Sequence, residues 1–318
     1  MSGLQEGVIL ASHLLVTGAT GFIGRHLVIA LANSGKYKVS ATVRADVSDL
    51  PESVSIVKLQ LGSAFDELSL DGVDTVIHLA ALAHEPSRNK KLDEYRLINV
   101  LAAAHLARRA GAAGVKRFIF LSSIGVNGSS SISPFTANDV PSPEDHYSVS
   151  KYEAELELRS IASAANMELV VIRPPLVYGP NAPGNFSKLV AAIQRGFLLP
   201  FGGIHNKRTL VSVYNLVDFI SVCIEHPLAA NETFVIGDAE DISTCELLAK
   251  IGRFSGRPAR LVFIPVSLLY AVATAIGKRR VAQKICGDLQ VDTSKARDLL
   301  GWKPPLSLDD GLRRCFIK

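Results

Sequence analysis

From residue 13 to residue 173, short apolar runs alternate with longer stretches in which apolar residues return every three or four positions. His13-Leu14-Leu15-Val16, Val39-Ser40-Ala41-Thr42-Val43, Thr75-Val76-Ile77-His78-Leu79, Arg117-Phe118-Ile119-Phe120-Leu121 and Val170-Val171-Ile172-Arg173 read as strands. Residues 22–33, with Ile23, Leu27, Ala30 and Leu31 at helical spacing, read as the first intervening helix. Such alternation predicts βαβ units and an α/β fold with a mostly parallel sheet. After residue 178 the alternation decays, so residues 12–178 and 214–238 are expected to form the sheet domain, and residues 179–213 and 239–318 a smaller C-terminal lobe. Residues 129–145, polar and without periodicity, are expected to be a loop beside the functional site that moves when the site fills.

The turn between the first strand and the first helix reads Thr17-Gly18-Ala19-Thr20-Gly21-Phe22-Ile23-Gly24. Glycine permits positive φ and lets backbone approach a pyrophosphate, whose charge is stabilised by the N–H groups at the start of the helix. Strand, glycine turn and helix are the context a dinucleotide site requires, although the spacing is GxxGxxG and not GxGxxG. A second pattern, Tyr147-Ser148-Val149-Ser150-Lys151, sets a phenol and an ammonium on one face of a helix. Free tyrosine has a pKa of about 10, so a neighbouring cation that favours the phenolate is a chemical requirement for proton exchange near neutrality. Hydride transfer to or from a nicotinamide needs such a proton partner.

The glycine turn, the Tyr147/Lys151 pair and the Ser122-Ser123 pair at a strand end together resemble the extended short-chain dehydrogenase/reductase family of nucleotide-sugar epimerases, dehydratases and 4-ketoreductases. The resemblance covers nearly the whole chain and implies a Rossmann-type doubly wound parallel sheet. It implies Tyr147 as the proton donor, Lys151 beside it, and Ser123 as the catalytic serine, because counting back from Gly128 leaves Ser122 in a structural place. For the cofactor it implies Gly18, Gly21, Phe22, Ile23 and Gly24 in the turn, the backbone of Leu79, Ala80 and Ala81, the family's central asparagine at Asn99, and Pro174 and Val177 closing over the nicotinamide. For a UDP-sugar substrate it implies Asn185 and Arg208 at the phosphates, with Leu199 and Phe201 on the base-binding edge. The second phosphate-binding arginine expected just before Gly287 is absent, since Ile285 and Cys286 stand there, and Lys284 or Arg279 is the available substitute. A homodimer built from helices around residues 93–109 and 147–163 is implied as well.

The end of the second strand bears on the choice of cofactor. An NAD site usually has an acidic residue there to bond the ribose hydroxyls, but this chain has Val43 and then Arg44. An arginine pairs with a 2′-phosphate, which favours NADP(H); one stacked on adenine would also admit NAD(H). Ser63 stands where an aspartate often follows the third strand. Dehydratases of the family carry Thr-Asp-Glu where this chain has Ser123-Ile124-Gly125, so dehydration is not expected. Arg44 favours a 4-ketoreductase acting on a UDP-4-keto-6-deoxy-N-acetylhexosamine of bacterial surface-polysaccharide pathways, such as those of lipopolysaccharide O-antigen. The alternative is a UDP-hexose 4-epimerase that retains NAD. A non-catalytic NADP-binding sensor is a third reading, disfavoured because such proteins usually lose the Tyr/Lys pair.

Composition narrows the partners. The 34 basic and 30 acidic residues nearly balance, no dense basic run with interleaved aromatics appears, and nucleic acid is not expected. The four cysteines show no CxxC and the eight histidines no HExxH, which predicts reduced thiols, no metal site and a cytoplasmic setting. Residues 1–11 lack the pattern of a secretory signal and are expected to be an unstructured lead. Residues 261–277 (LVFIPVSLLYAVATAIG) are shorter than the roughly 20 apolar residues of a span, contain Pro265 and precede Lys278-Arg279-Arg280. An apolar core helix of the C-terminal lobe is expected there, with weak peripheral contact to an anionic bilayer as the alternative.

Overall fold

The structure, a computed structural model, describes residues 12–45, 49–59, 65, 68–83 and 91–317; Ser63 and residues 1–11 lie outside them. Its strands are β1 (Ser12–Thr17), β2 (Tyr37–Val43), β3 (Ser55–Lys58), β4 (Thr75–His78), β5 (Arg117–Leu121), β6 (Glu168–Arg173), β7 (Leu176–Tyr178), β8 (Leu198–Leu199), β9 (Leu210–Ser212), β10 (Thr233–Val235) and β11 (Arg260–Leu261). Seven of them form one parallel sheet in the order β10-β6-β5-β4-β1-β2-β3, the Rossmann-type α/β arrangement. The order reverses between β1 and β4, and ligands of open α/β sheets bind at such a reversal, beyond the carboxyl ends of the strands.

Both faces of the sheet are covered, which explains why its strands read as nearly continuous apolar runs. Side chains alternate across a strand. Leu14 and Val16 therefore pack with α1 (Phe22–Ser34) on one face, whereas Leu15 packs on the other with Phe118, Phe120, Leu106 and Leu158. On that second face lie α2 (Leu92–Tyr95), a π turn (Arg96–Leu101), α3 (Ala102–Ala112) and α4 (His146–Ala164). The first three make one continuous helical rod. A separate core, with Tyr178, Phe186, Ile193, Leu247, Leu248 and Ile251, joins α5 (Asn185–Gln194) to α7 (Thr244–Phe254). Between these two, α6 (Val213–Glu225) and β10 return to the large sheet.

A buried ionic network holds α4 against the carboxyl ends of β5 and β6. Arg173 Nε donates to Glu155 Oε1 at 2.9 Å and Nη2 to Oε2 at 2.6 Å, with Glu155 1% and Arg173 3% exposed. Ser122 Oγ donates to the same carboxylate at 2.5 Å, and Arg173 Nη1 donates to Asn127 Oδ1 at 3.0 Å. The network thus joins α4, β6 and the turn after β5.

Two segments have surroundings that the sequence does not announce. The 129–145 loop is tied along the far C-terminal chain: Ser131 N donates to Asp288 O at 2.9 Å, Phe135 N to Gln290 O at 2.8 Å, and Asp292 N to Phe135 O at 2.8 Å. The apolar stretch expected as a core helix forms α8 (Val266–Ala275), and none of its residues is buried. It is followed by α9 (Arg279–Cys286). The expectation of burial fails because α8 lies outside the core formed around α5 and α7.

Removing one member of a buried, bidentate pair leaves a charge without its partner, at a cost of about 3–5 kcal/mol. Arg173→Met and Glu155→Met should each lower denaturant stability by that order. The double variant should be more stable than either single one, and a double-variant loss equal to the sum would show that the two groups are not coupled.

Candidate active site

The glycine turn is a cradle that side chains would fill. Gly18 has φ +74°, and a Cβ there would lie 2.7 Å from Ala80 N; a Cβ on Gly24 would lie 2.1 Å from Gly18 O. Gly21 begins α1 without a side-chain cap, and Phe22 and Ile23 form its half-buried first turn. The amides of that turn are the donors a pyrophosphate requires. A cavity of about 140 Å³ opens beside the turn, lined by Gly18, Thr20, Gly21, Val43, Arg44 and the backbone segment Leu79, Ala80 and Ala81. Among the described residues none of its lining side chains is a carboxylate. These features fit a dinucleotide.

Asn99 anchors the next segment. Fully buried within the π turn, it accepts from Leu82 N at 2.7 Å through Oδ1, and its Nδ2 donates to Leu82 O at 3.2 Å and Ser150 Oγ at 2.9 Å. One side chain therefore fixes the chain after Leu79-Ala80-Ala81 to the helix that carries Tyr147. π turns recur at functional positions.

Tyr147 and Lys151 share the inner face of α4, whose N-terminus is capped by Asp145 accepting from Ser148 N at 2.9 Å. The Tyr147 ring lies edge-on to Tyr95 at 6.5 Å. Burial, followed by the Asp145 charge and Tyr95, raises its phenol above the ordinary range and keeps it protonated. Lys151 is fully buried, with Nζ 4.3 Å from the centroid of the Phe120 ring. Burial pushes its ammonium down to about 7, against the opposing pull of Glu155 one turn later. Ser123 is half-buried and caps the short turn Ile124–Val126, where its Oγ accepts from Gly125 N at 3.1 Å. Ile124 N donates to Pro174 O at 2.9 Å, so the serine turn rests on the segment after β6. Val177 follows in β7, paired with Val211.

The sequence reading missed His78. It is fully buried, its Nδ1 is 2.7 Å from Thr17 Oγ1, and its ring stacks on Phe120 at 6.0 Å. Burial and the Lys151 charge push it down to about 3, so it is neutral. The only signal was one polar residue inside a buried strand.

The remaining expected residues lie on other elements. Asn185 is exposed at the start of α5, and Leu199 and Phe201 lie at β8, which pairs with β11. Arg208 donates through Nη1 to Lys284 O at 3.0 Å and Gly287 O at 3.1 Å, which seats it on the end of α9, and burial lowers its pKa. Lys284 Nζ pairs with Asp145 Oδ2 at 3.1 Å. The α9 end thus links Arg208 to the cap of the Tyr147 helix. Among the described residues no three His, Cys, Asp or Glu side chains are grouped to hold a metal ion.

The sequence profile of the NAD dependent epimerase/dehydratase family matches residues 14–237. The chain belongs to this family. Over 306 residues it is 40% identical to a UDP-glucose 4-epimerase of Vibrio cholerae, covering 95% of this chain and 93% of that protein. A dTDP-4-dehydro-6-deoxyglucose reductase of Escherichia coli is 26% identical, with 94% and 95% covered. Among solved structures, MoeE5 in complex with UDP-glucose and NAD is 28% identical, with a TM-score of 0.77 and 96% and 97% of the two chains covered. The protein is therefore an enzyme of the short-chain dehydrogenase/reductase type, and the Vibrio cholerae and Escherichia coli relatives are named for nucleotide sugars.

The depressed Lys151 ammonium has a stability consequence of definite sign. The unfolded chain holds this proton up to about 10.5, whereas the folded one releases it near about 7. Between those values the unfolded state binds more protons, so folding stability from this group rises with pH. Wild-type stability minus that of Lys151→Met should therefore increase from about pH 7 to about pH 9. A flat difference across that window would mean that the ammonium is not desolvated.

Proposed function

We propose that the protein is an NADP(H)-dependent 4-ketoreductase of a UDP-linked 4-keto-6-deoxy-N-acetylhexosamine. The observation that carries the choice of reaction is Arg44 on a cavity wall with no described carboxylate, because a 2′-phosphate calls for that cation and a ribose hydroxyl calls for an acid. The UDP moiety rests on the family resemblance and on the UDP-glucose complex of MoeE5. Gly18, Gly21, Phe22, Ile23, Gly24, Arg44, Leu79, Ala80, Ala81, Asn99, Lys151, Pro174 and Val177 would hold the dinucleotide.

When bound, the nicotinamide supplies the hydride. Tyr147 gives its phenolic proton to the sugar oxygen, a role suited to a phenol kept neutral by burial. Ser123 Oγ already accepts from Gly125 N, which leaves its own proton to donate to the same oxygen. Lys151 orients the nicotinamide ribose and offsets negative charge on the phenol. Arg208 and Asn185 hold the diphosphate, and Leu199 and Phe201 border the base. A homodimer through the rod of residues 92–112 and α4 is part of the proposal: Leu97 and Leu101 in the π turn and Leu156 in α4 leave apolar side chains exposed.

The second reading, a UDP-glucose 4-epimerase with retained NAD, is favoured by the name of the Vibrio cholerae relative and by NAD in the MoeE5 complex. One set of assays separates the two. Reduction requires one NADPH oxidised per UDP-4-keto-6-deoxy sugar consumed, and Arg44→Ala should weaken NADPH binding by about 1.5–3 kcal/mol with little change for NAD. Interconversion of UDP-glucose and UDP-galactose without net cofactor consumption, unaffected by Arg44→Ala, would establish the epimerase instead. Under either reading Tyr147→Phe should keep dinucleotide binding and lose about 10²-fold or more in turnover. Undiminished turnover would remove Tyr147 from the chemistry.

A further inference from the structure

From Arg260 to Gly287 the chain carries five basic residues and no acidic one, in a protein whose charges otherwise nearly balance. The same segment contains α8, none of whose residues is buried. Leu268, Val272 and Ile276, spaced four apart along one stripe of the helix, are 52%, 53% and 61% exposed. Phe263 before the helix is 70% exposed, and Val281 in α9 52%. No charged residue interrupts positions 261–277, and Lys278 and Arg279 stand exposed where the apolar stretch ends. The nearest following acid is Asp288, whose Oδ1 is taken by Lys207 N at 2.7 Å.

We propose that the α8–α9 hairpin is a docking surface for an anionic lipid bilayer. Aliphatic side chains on an exposed helix face beside exposed cations are the composition of an interfacial anchor. A helix of ten residues is about 15 Å long, half of a hydrocarbon core, so the contact is peripheral. Among the described residues no helix is long and apolar enough to cross a membrane. A protein partner with an apolar groove would match the aliphatic stripe. It would not by itself account for 28 residues free of acids, whereas an anionic headgroup layer matches both features. The surface is joined to the candidate active site: the α9 end receives Arg208, and Lys284 of α9 pairs with the cap of the Tyr147 helix. Docking would hold the sugar-phosphate side of that site close to the headgroups. The inference does not depend on whether the reaction is reduction or epimerisation.

The test is flotation of the full-length protein with phosphatidylcholine vesicles, with and without phosphatidylglycerol, at low and high salt. Binding is expected only with phosphatidylglycerol and should weaken with salt. Leu268→Glu/Val272→Glu and, separately, Lys278→Glu should each reduce partitioning several-fold or more. All three positions are exposed and lie outside the proposed binding residues, so thermal midpoint and dinucleotide binding should match wild type and show that each variant is folded. Absence of flotation, or flotation that neither variant changes, would overturn the proposal. So would conversion of a dimer to a monomer by Leu268→Glu/Val272→Glu in sedimentation, which would assign the face to a second copy of the chain.

Discussion

The geometry of the active site depends on one buried ion pair, Arg173 with Glu155. Aliphatic packing holds α4 on the sheet, but the hydrophobic effect itself is not directional. A two-pronged guanidinium–carboxylate contact is directional, and it fixes Glu155 over the end of β6. Lys151 lies one turn before Glu155 and Tyr147 one turn before that, so their placement depends on the same contact. Ser122 joins the same carboxylate, and Asn127 the same guanidinium, which brings the turn containing Ser123 into the arrangement. Replacing the pair by hydrocarbon would supply comparable packing without that register.

The pair also shapes the electrostatics. Glu155 is neutralised by Arg173 and shared with Ser122, so its influence on Lys151 is too small to offset the loss of water around the ammonium. The Phe120 ring meets the ammonium, and neutral His78 stacks with the same ring. The acid–base groups therefore sit in a medium of low polarity, where a small change in nearby charge shifts their proton equilibria strongly.

The parallel sheet was legible in the sequence because buried strands write their burial as unbroken apolar runs, and the glycine turn because only glycine tolerates the approach of Gly18 to Ala80. The Tyr147–Lys151 spacing was legible because both residues lie on one helix. Contacts between distant segments were not: Lys284 reaches Asp145 across 139 residues, and Ser131 is bonded to Asp288, far along the C-terminal chain. Nothing in the local pattern of 129–145 specifies a strap in place of a free loop. Residues 261–277 misled for a different reason. Apolar composition says that a segment prefers to leave water, but not whether its own chain provides the shelter.

The π turn adds a position to the rod that runs from α2 into α3. It holds more residues than an α turn by widening, so the helices on its two sides keep their faces while the turn presents an extra residue. Asn99 points inward to Leu82 and Ser150, while Leu97 and Leu101, two positions to either side, point outward. Deleting one residue from 96–101 would close the wide turn to ordinary α-helical winding with the two halves of the rod in nearly the same phase, so the loss would fall on the residues of the turn itself. The cofactor-side anchor and the outward leucine face would then no longer be presented together. The length of this short segment is therefore as strict a requirement as the identity of Asn99.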